Sequence, residues 1–507
     1  MKYAIGIDVG TSGTKTVIFD TEGRKIASAT VEYPLYQPEN GWAEQEPTDW
    51  KNAALETLAA VMKKSGIDKN NVVGIGLSGQ MHGLVMLDKD NEVLGRSIIW
   101  ADQRTSKECE EIEKLVTRER LIEITANPAL TGFTASKIMW VKKHRKELYE
   151  RCRHILLPKD YVRLVLTGEY ATDVSDASGM QLLDVPKRQW SKELLDILGI
   201  DISLLGKVYE SQDITGFVTA EIADMTGLRT GTPVIAGAGD NAAAAIGLGI
   251  VREGKAFTTI GTSGVVFAHT DSPTIDKDGR VHTFCHAVKG KWHVMGVIQS
   301  AGLSLRWLRD NICDKDVQTA SEQGVDPYVI MDKNANDSII GANRLLYLPY
   351  LMGERTPHLD PNARGCFIGL SAIHTRNDMT RAVLEGVCYA LKDSLEILSD
   401  MGTTADEMTV CGGGARSDFW RRMLADVYGV DCCRTESDEG PALGVAILAM
   451  VGANIYESVE SACDAVVRIR DTVHFDGTSH RRYMEFYEIY KGLYSHLKND
   501  FDKLSKL

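Results

Sequence analysis

The sequence lacks the features that mark several large classes of protein. Its 10 cysteines are scattered without a C-x-x-C pair, which argues against a zinc site and against a disulfide framework. No apolar run is long enough to cross a membrane. The N-terminus carries no basic region followed by a long apolar segment, so no signal peptide is expected. The net charge of -13 argues against non-specific binding to nucleic acid. These absences predict a cytoplasmic protein that binds neither nucleic acid nor a membrane.

What is present is typical of a large globular protein. A chain of 507 residues exceeds what one hydrophobic core can organise, so two or more domains are expected. Strand signals alternate with helical ones along the chain, which predicts an α/β architecture.

The chain opens with a strand, a turn and a second strand between Ile5 and Asp20. The apolar first strand contains a single carboxylate, Asp8, and the turn is Gly10-Thr11-Ser12-Gly13. Glycines let a ligand approach the backbone closely, and successive N–H groups can hold phosphate. An ionised Asp8 in a buried strand needs a cation nearby. Mg²⁺ held beside phosphates would meet that need.

The same turn recurs half a chain later as Gly261-Thr262-Ser263-Gly264, again between β-rich flanks. Two copies suggest an internal duplication, although two unrelated β-turns are the alternative. Two similar domains would each offer a phosphate-binding hairpin to a shared cleft. The repeat restarts just after Ile250 to Gly254, which predicts domains over residues 1–249 and 250–507.

Polar loops follow two predicted strands of the first half. The strand Asn71 to Ser78 leads into a glycine-flanked loop that contains Met81 and His82, and strand ends are favoured positions for ligands. His82 is either a ligand-binding residue or a structural histidine. A short strand ending at Trp100 precedes Asp102 and Arg104, which could bind hydroxyl groups or form a surface ion pair with each other.

A small-residue strand, Pro233 to Gly239, precedes Asp240 and an alanine-rich helix. Asp240 is well placed to cap that helix. A carboxylate at a strand-to-helix junction also projects into the same cleft as the turns. Further back, the polar segment Ser175 to Gly179 is predicted to be a loop.

In the second half, a strand ending at Cys411 enters Gly412-Gly413-Gly414-Ala415, and Ser417 is a plausible cap for the next helix. A triple glycine lets a flat ring lie against the backbone, and the alternative is a tight turn. Near the C-terminus, apolar residues at helical spacing form a face that packs either on the core or on a second subunit, which leaves a homodimer open.

The paired hairpins, Gly239-Asp240-Asn241 and the triple glycine resemble the FGGY carbohydrate kinases, within the sugar kinase, Hsp70 and actin superfamily. Two longer segments are similar to the family signatures: Gly132 to His144, and Gly365 to Leu370 followed by Met379 to Glu385. The blocks fall in the family's order over nearly the whole chain. Three more segments are most similar to family members that act on D-xylulose: Ser78 to Gly83, Trp100 to Thr105, and Gly353 to His358.

The resemblance implies two RNase-H-like domains around a central cleft, and transfer of the ATP γ-phosphate to the terminal hydroxyl of D-xylulose. It implies that Asp240 is the catalytic base and that Asp8 lies near Mg²⁺, holding it through water. The implied sugar-binding residues are Met81, His82, Trp100, Asp102, Arg104, Asp240 and Asn241. The implied nucleotide-binding residues are Thr11, Ser12, Gly13, Thr14, Lys15, Gly261, Thr262, Ser263, Gly413, Gly414, Ala415 and Ser417.

Two other functions remain open from the sequence. One is an FGGY kinase for another ketose, a polyol or gluconate. The other is an actin- or Hsp70-like ATPase without a sugar substrate, which would share the hairpins but leave the sugar-loop resemblance unexplained.

Overall fold

The computed structural model describes residues 1–507, and the two halves of the chain each build one large sheet. The strands of the first half are β1 (Tyr3–Val9), β2 (Gly13–Asp20), β3 (Lys25–Glu32), β4 (Glu44–Gln45), β5 (Val72–Gly79), β6 (Val85–Leu87), β7 (Ser97–Ile98), β8 (His154–Leu156), β9 (Ala171–Asp173), β10 (Leu183–Asp184), β11 (Gln189–Trp190), β12 (Lys207–Tyr209), β13 (Ile214–Phe217), β14 (Pro233–Ile235) and β15 (Ala238–Gly239). Its helices are α1 (Pro47–Ser65), α2 (Ser106–Val116), α3 (Arg118–Thr125), α4 (Thr134–His144), α5 (Lys146–Arg151), α6 (Pro158–Thr167), α7 (Val174–Ser178), α8 (Lys192–Leu198), α9 (Ala220–Thr226) and α10 (Asp240–Gly247).

The second half has fewer strands and longer helices. Its strands are β16 (Gly254–Ile260), β17 (Gly264–Thr270), β18 (His282–Cys285), β19 (Trp292–Ile298), β20 (Leu346–Leu348), β21 (Cys366–Ile368), β22 (Ala405–Cys411), β23 (Cys432–Thr435) and β24 (Ile469–Val473). Its helices are α11 (Gly302–Asn311), α12 (Asp314–Gln323), α13 (Pro327–Asn336), α14 (Arg376–Asp400), α15 (Asp418–Tyr428), α16 (Gly440–Gly452), α17 (Val459–Val466) and α18 (Gly477–Leu504).

The two large sheets share one topology. In the first, β1, β2 and β3 form an antiparallel meander, β5 lies parallel to β1, and β14 lies parallel to β5. In the second, β16, β17 and β19 form the meander, β22 lies parallel to β16, and β23 lies parallel to β22. This repeated order supports the internal duplication suggested by the two turns. It confirms the expected α/β fold of two RNase-H-like domains.

The halves interlock through two helices. Helix α16 belongs to the second half, yet its Ala442 and Val445 pack in one apolar cluster with Ala4 and Val17 of the first sheet. A side chain at Gly6 would clash with the backbone of this helix at Ala442. Helix α10 of the first half packs against Phe257 and Phe267 of the second sheet. The division between residues 249 and 250 stays a prediction, and α10 and α16 both pack across it.

Two local predictions are wrong. Residues 174–178 form helix α7 rather than a loop, because Asp173 caps it and accepts a hydrogen bond from the Ser175 N–H at 2.8 Å. Buried Lys159 neutralises Asp173 across 2.9 Å, so polar residues are tolerated in the interior here. The strand predicted over residues 233–239 is split into β14 and β15, because Gly237 adopts a φ of 81° between them.

The apolar face near the C-terminus lies on α18 and packs on the second core rather than on another subunit. Its buried members in that core cluster are Tyr483, Phe486, Tyr487, Tyr490, Leu493 and Phe501. That face therefore gives no support to a homodimer. No helix is both long and apolar enough to cross a membrane.

Candidate active site

Asp8 lies near the end of β1, with Lys15 of β2 on one side and Ser78 of β5 on the other. Its Oδ1 atom is buried and has no hydrogen-bond partner in the protein. Burial raises the pKa of the Asp8 carboxyl to about 6, while Ser78 and Lys15 act against that rise. An unpartnered carboxylate oxygen in this position is suited to bind a group that the protein itself does not supply.

The Lys15 side chain forms an ion pair with Glu439, the residue that precedes α16. Glu439 also binds Lys25 at 3.0 Å. The sequence analysis missed Glu439, because only the packing of α16 on the first sheet brings it to β2. An ammonium group has three N–H donors, so Lys15 can keep this ion pair and still donate to a nucleotide phosphate.

Asp240 is the first residue of α10, and Gly239 is the residue that precedes the helix. The expectation that Asp240 caps the helix is therefore wrong by one position. Its Oδ1 accepts hydrogen bonds from the N–H of Asn241 at 2.7 Å and from the Asn241 side-chain amide at 3.0 Å. Burial and, to a lesser extent, the nearby charge of Asp8 together raise the pKa of the Asp240 carboxyl to about 7.

The negative charge of Asp8 disfavours the ionised form of Asp240, so the two carboxylates lie within electrostatic reach of one another. A divalent cation between phosphate oxygens and these groups would relieve that repulsion. No group of three or more side chains could hold a metal ion by itself. This agrees with Mg²⁺, which usually takes one or two carboxylates and completes its shell with water and phosphate oxygens. The residues therefore fit Mg²⁺ bound together with a nucleotide.

The loop after β5 carries Met81 and His82, and it packs beside the start of α10. Met81 packs on Gly239, where an added Cβ would lie 3.0 Å from the Met81 sulfur. His82 has a φ of 70°, an unusual conformation for a residue with a side chain, and such strain is common at functional sites. Its Nδ1 lies 2.9 Å from the carbonyl oxygen of Gly179. A carbonyl only accepts, so Nδ1 carries the proton and Nε2 is left as an acceptor.

A buried lysine fixes this loop. Lys137 of α4 donates to the carbonyl oxygens of His82 at 2.9 Å and of Gly132 at 2.7 Å. Burial lowers the pKa of Lys137 to about 7. Burial also lowers the pKa of His82 to about 3, and the charges of Lys137 and Arg355 act in the same direction. His82 is thus neutral at physiological pH. Lys137 was not singled out from the sequence, although a lysine within the otherwise buried start of α4 was a usable signal.

Trp100 lies at the first hairpin. Its side chain is 45% exposed, and its indole N–H donates to the hydroxyl of Thr11 at 3.0 Å. The indole ring thus links the segment after β7 to the first phosphate-binding turn. An exposed ring at such a position is available to a ligand in the cleft.

Asp102 and Arg104 are placed differently from what was expected. Their side chains form a bidentate ion pair and are 0% and 3% exposed. The guanidinium of Arg104 also binds Glu44 at 2.8 Å and stacks over Trp42 at 3.5 Å. The pair is therefore an interior contact rather than a surface one. Since both carboxylate oxygens of Asp102 and two of the three guanidinium nitrogens of Arg104 already have partners in the interior, we omit both residues from the candidate site.

The second hairpin packs against a helix start. The N–H of Gly302 donates to the carbonyl of Gly261 at 2.8 Å, and the N–H of Leu303 donates to that of Thr262 at 3.1 Å. On the other side of the hairpin, Gly413 follows β22. A Cβ added to Gly413 would meet no protein atom within 4 Å. Its backbone is therefore open to a flat ligand.

Two cavities meet at Gly413. One, of about 630 Å³, extends from Asp240 and Asn241 to the glycine loop. The other, of about 500 Å³, is lined by residues of both polar and apolar type, among them Gly261, Thr262, Leu305, Tyr328, Gly414 and Ser417. Ser417 also caps α15 by accepting from the Trp420 N–H at 2.9 Å, as its sequence position predicted. Together the cavities give room for an elongated ligand that runs from the glycine loop to Asp240.

Comparison with known proteins agrees with this geometry. Residues 3–247 match the model of the N-terminal domain of the FGGY family of carbohydrate kinases, and residues 256–453 match that of the C-terminal domain. The xylulose kinase of Bacillus subtilis is 38% identical over 98% of both chains. The gluconokinase of the same organism is 32% identical over 92% of this chain and 90% of its own. The structure of a ligand-bound xylulose kinase from Lactobacillus acidophilus, 27% identical, matches with a TM-score of 0.92 over 99% of this chain and all of that one.

Proposed function

Because this chain belongs to the FGGY family of carbohydrate kinases, we propose that it transfers the γ-phosphate of ATP to the terminal hydroxyl of D-xylulose, forming D-xylulose 5-phosphate. The observation that carries the proposal is the position of Asp240, with the sugar loop on one side and the cavity that leads to Gly413 on the other. The similarity to xylulose kinases over nearly the full chain supports this choice of sugar.

Asp240 is proposed as the general base. A sugar hydroxyl is weakly acidic, so an aligned carboxylate must accept its proton as the new O–P bond forms. The hydrogen bonds from Asn241 hold Oδ1, which leaves Oδ2 to face the substrate. A pKa near 7 is well suited to a base that accepts a proton and returns it to solvent near neutral pH.

Phosphoryl transfer requires mainly positioning and neutralisation of charge. We propose that the turns Thr11 to Lys15 and Gly261 to Ser263 hold the phosphates through backbone N–H groups, and that Gly413, Gly414, Ala415 and Ser417 hold the nucleoside. Asp8 would hold Mg²⁺ through water. Bound Mg²⁺ supplies charge neutralisation at the phosphate oxygens. The neutral His82 would accept a hydrogen bond from a sugar hydroxyl at Nε2, with Met81, Trp100 and Asn241 lining the same end of the cleft.

Gluconate is the second candidate substrate, because a gluconokinase is also similar over most of its length. A coupled ADP-release assay across pentuloses, hexuloses, polyols and gluconate separates the candidates. The proposal expects the highest kcat/KM with D-xylulose and little ATP turnover without a sugar. A higher kcat/KM with gluconate would replace D-xylulose, and sugar-independent turnover would contradict both.

The cytoplasm is the proposed location. All ten cysteines are free in the structure, and most of them are buried. A protein with many unpaired thiols is suited to a reducing compartment. Cell fractionation with an antibody against the chain would test this.

A further inference from the structure

Arg355 stands out among the charged residues near the sugar loop, because its guanidinium has no partner. The side chain is partly buried, and it forms no hydrogen bond, ion pair or stacking contact within the protein; its backbone N–H alone is bonded, to Glu354. A guanidinium has five N–H donors and cannot lose its proton in a protein. Its nitrogens keep access to solvent and have no acceptor in the protein, so they are free to donate to a ligand that enters the cleft.

The segment that carries Arg355 is held rigidly on both sides. Glu354 accepts a hydrogen bond from the N–H of Gln299 at 2.8 Å. Thr356 exchanges hydrogen bonds with Val297 of β19, at 3.0 Å from its own N–H and at 3.1 Å to its hydroxyl. The backbone of Arg355 is therefore fixed, while its side chain remains free to bind. This combination is typical of a preorganised contact rather than of a mobile surface arginine.

The free guanidinium points toward the first half. A Cβ added to Gly132 would have as its nearest neighbours the Trp100 carbonyl oxygen at 3.2 Å and Arg355 Nη2 at 4.0 Å. The charge of Arg355 also reaches the imidazoles of His82 and His282. Arg355 thus comes from the second half of the chain but lies against residues that surround the proposed sugar site.

The position of Arg355 along the cleft identifies the end of the sugar that it faces. Met81 packs on Gly239, next to Asp240, and His82 follows Met81. Arg355 lies beside Gly132, and the ring of the next residue, Phe133, lies 4.8 Å from that of His82. The order along the cleft is therefore Asp240, Met81, His82 and Arg355. The reacting hydroxyl lies at Asp240, so Arg355 lies at the opposite end of the substrate.

We propose that Arg355 is a specificity-determining residue that donates hydrogen bonds to the C1 hydroxyl and C2 carbonyl of the ketose. This inference rests on the proposed phosphorylation of D-xylulose at its other end. A carbonyl oxygen only accepts hydrogen bonds, and a guanidinium only donates them, so the two are matched. Because Arg355 and Asp240 belong to different halves, a bound sugar would bridge the two halves.

The test compares Arg355→Met and Arg355→Lys with the wild type. Arg364→Met is the matched control, since Arg364 lies in the same segment, is exposed, and donates only to the backbone carbonyls of Pro361 and Ala363. For Arg355→Met we expect KM for D-xylulose to rise at least 30-fold, with kcat and KM for ATP within threefold of wild type. Arg355→Lys should have a KM for D-xylulose between those of the wild type and Arg355→Met. Arg364→Met should match the wild type.

A stability measurement separates binding from a structural role. Since Arg355 has no protein partner, Arg355→Met should keep or raise the Tm of the ligand-free protein. Calorimetric titration with D-xylulose in the absence of nucleotide should show the same loss of affinity as KM. A lowered Tm together with an unchanged sugar affinity would overturn the proposal.

An analogue locates the contact on the sugar. 1-Deoxy-D-xylulose lacks the C1 hydroxyl, so the increase in sugar KM caused by Arg355→Met should fall from at least 30-fold with D-xylulose to less than 10-fold with this analogue. An equal increase in KM for both sugars would contradict the assignment to the C1–C2 end. If the wild type phosphorylates a different sugar instead, the proposed function fails. The Arg355 comparison can then be repeated with that sugar, and an unchanged KM would reject the contact independently.

Discussion

The two halves of the molecule use one strand order for two different tasks. In each sheet a parallel strand beside the first strand ends in a loop at the cleft. In the first half that strand is β5, and its loop carries Met81 and His82. In the second half it is β22, and its loop carries Gly413 and Gly414. A loop with side chains suits a sugar, whose hydroxyl groups need fixed polar partners. A loop of bare backbone suits the flat ring of a nucleotide.

The two hairpins differ in charge at matched positions. Asp8 and Thr259 each lie two residues before the first glycine of their turn. Asp8 pairs across the strands with Lys15, whereas Thr259 pairs with Val265. The duplicated backbone can hold phosphate in both halves. Of the two hairpins, only the first carries ionisable groups at these matched positions, and Asp240 of the same half supplies the second carboxylate beside Asp8.

The largest expected effect comes from removing the base that the first half supplies. Asp240→Asn keeps the size of the side chain and can still accept the hydrogen bonds from Asn241. It cannot accept a proton, so kcat should fall by roughly 10²–10⁴-fold. Binding of the sugar and of ATP, measured by calorimetry, should be largely kept. Asp224→Asn, at an exposed position of α9, is the control. Near-full kcat at saturating ligands would show that Asp240 is not the base.

The second prediction concerns the loop after β5, which carries Met81 and His82. His82→Ala removes the Nε2 acceptor, and a lost hydrogen bond that leaves a partner unsatisfied costs ~1–3 kcal/mol. KM for D-xylulose should therefore rise by about 5- to 150-fold, with a smaller change in KM for ATP. Steady-state kinetics with each substrate varied in turn measures both. An unchanged sugar KM in a folded variant would make His82 a structural residue.

These first two predictions use residues that the sequence alone singled out, and the reason is local. Glycine turns, strand-end loops and a strand-to-helix junction are encoded within a few residues, so Asp8, His82 and Asp240 could be found from the chain. Asp102 and Arg104 had equally clear local signals. Their interior ion pair beneath Trp42 follows from tertiary packing, which a single sequence does not reveal.

Long-range packing explains the other differences. The pairing of Lys15 with Glu439 depends on α16 lying against the first sheet. Helix α7 is stable because Lys159, on another helix, neutralises Asp173. In the first case the partner lies far away in the sequence, and in the second it lies on a different helix from the one it stabilises. Charge compensation between distant segments is the information that periodicity and turn chemistry do not contain.

The third prediction removes the carboxylate that the second hairpin lacks at the matched position. Asp8→Asn keeps the size of the side chain but removes its negative charge, so the Mg²⁺ concentration for half-maximal rate should rise by about 10-fold, as expected for the loss of one carboxylate from its site. Thr259→Asn at the matched position of the second hairpin should change that concentration much less. A magnesium titration of both variants makes the comparison. Equal shifts in the two would mean that the hairpins do not differ in metal binding.

The fourth prediction adds a side chain to the glycine loop that follows β22 in the second half. Gly413→Ala adds a Cβ that meets no protein atom within 4 Å, so the fold should be unaffected. A ring that lies against this backbone would be displaced, and such overpacking costs ~1–3 kcal/mol. We expect KM for ATP to rise by about fivefold or more and KM for the sugar to stay unchanged, which is the reverse of His82→Ala. If KM for ATP is unaffected, the nucleotide does not contact this loop.

The smallest expected effect is on the stability of the ligand-free protein. It measures how far the folded state disfavours the ionised form of Asp240. The folded state raises the pKa of Asp240 to about 7, from about 4 in an unfolded chain. Between these values the folded protein binds more protons than the unfolded one, so the free energy of unfolding contributed by this group decreases as pH rises through the window. Asp240→Asn removes the titration. The side chain lines an open cavity, so a gain of only ~1–2 kcal/mol is expected at pH 8, and none near pH 4. Thermal melts of wild type and variant at both pH values measure the gain in stability, with Asp224→Asn as the matched control.

A gain of the same size at pH 4 would mean that the effect comes from packing. No gain at pH 8 would mean that neither burial nor the neighbouring Asp8 disfavours the charge on Asp240 in the folded protein.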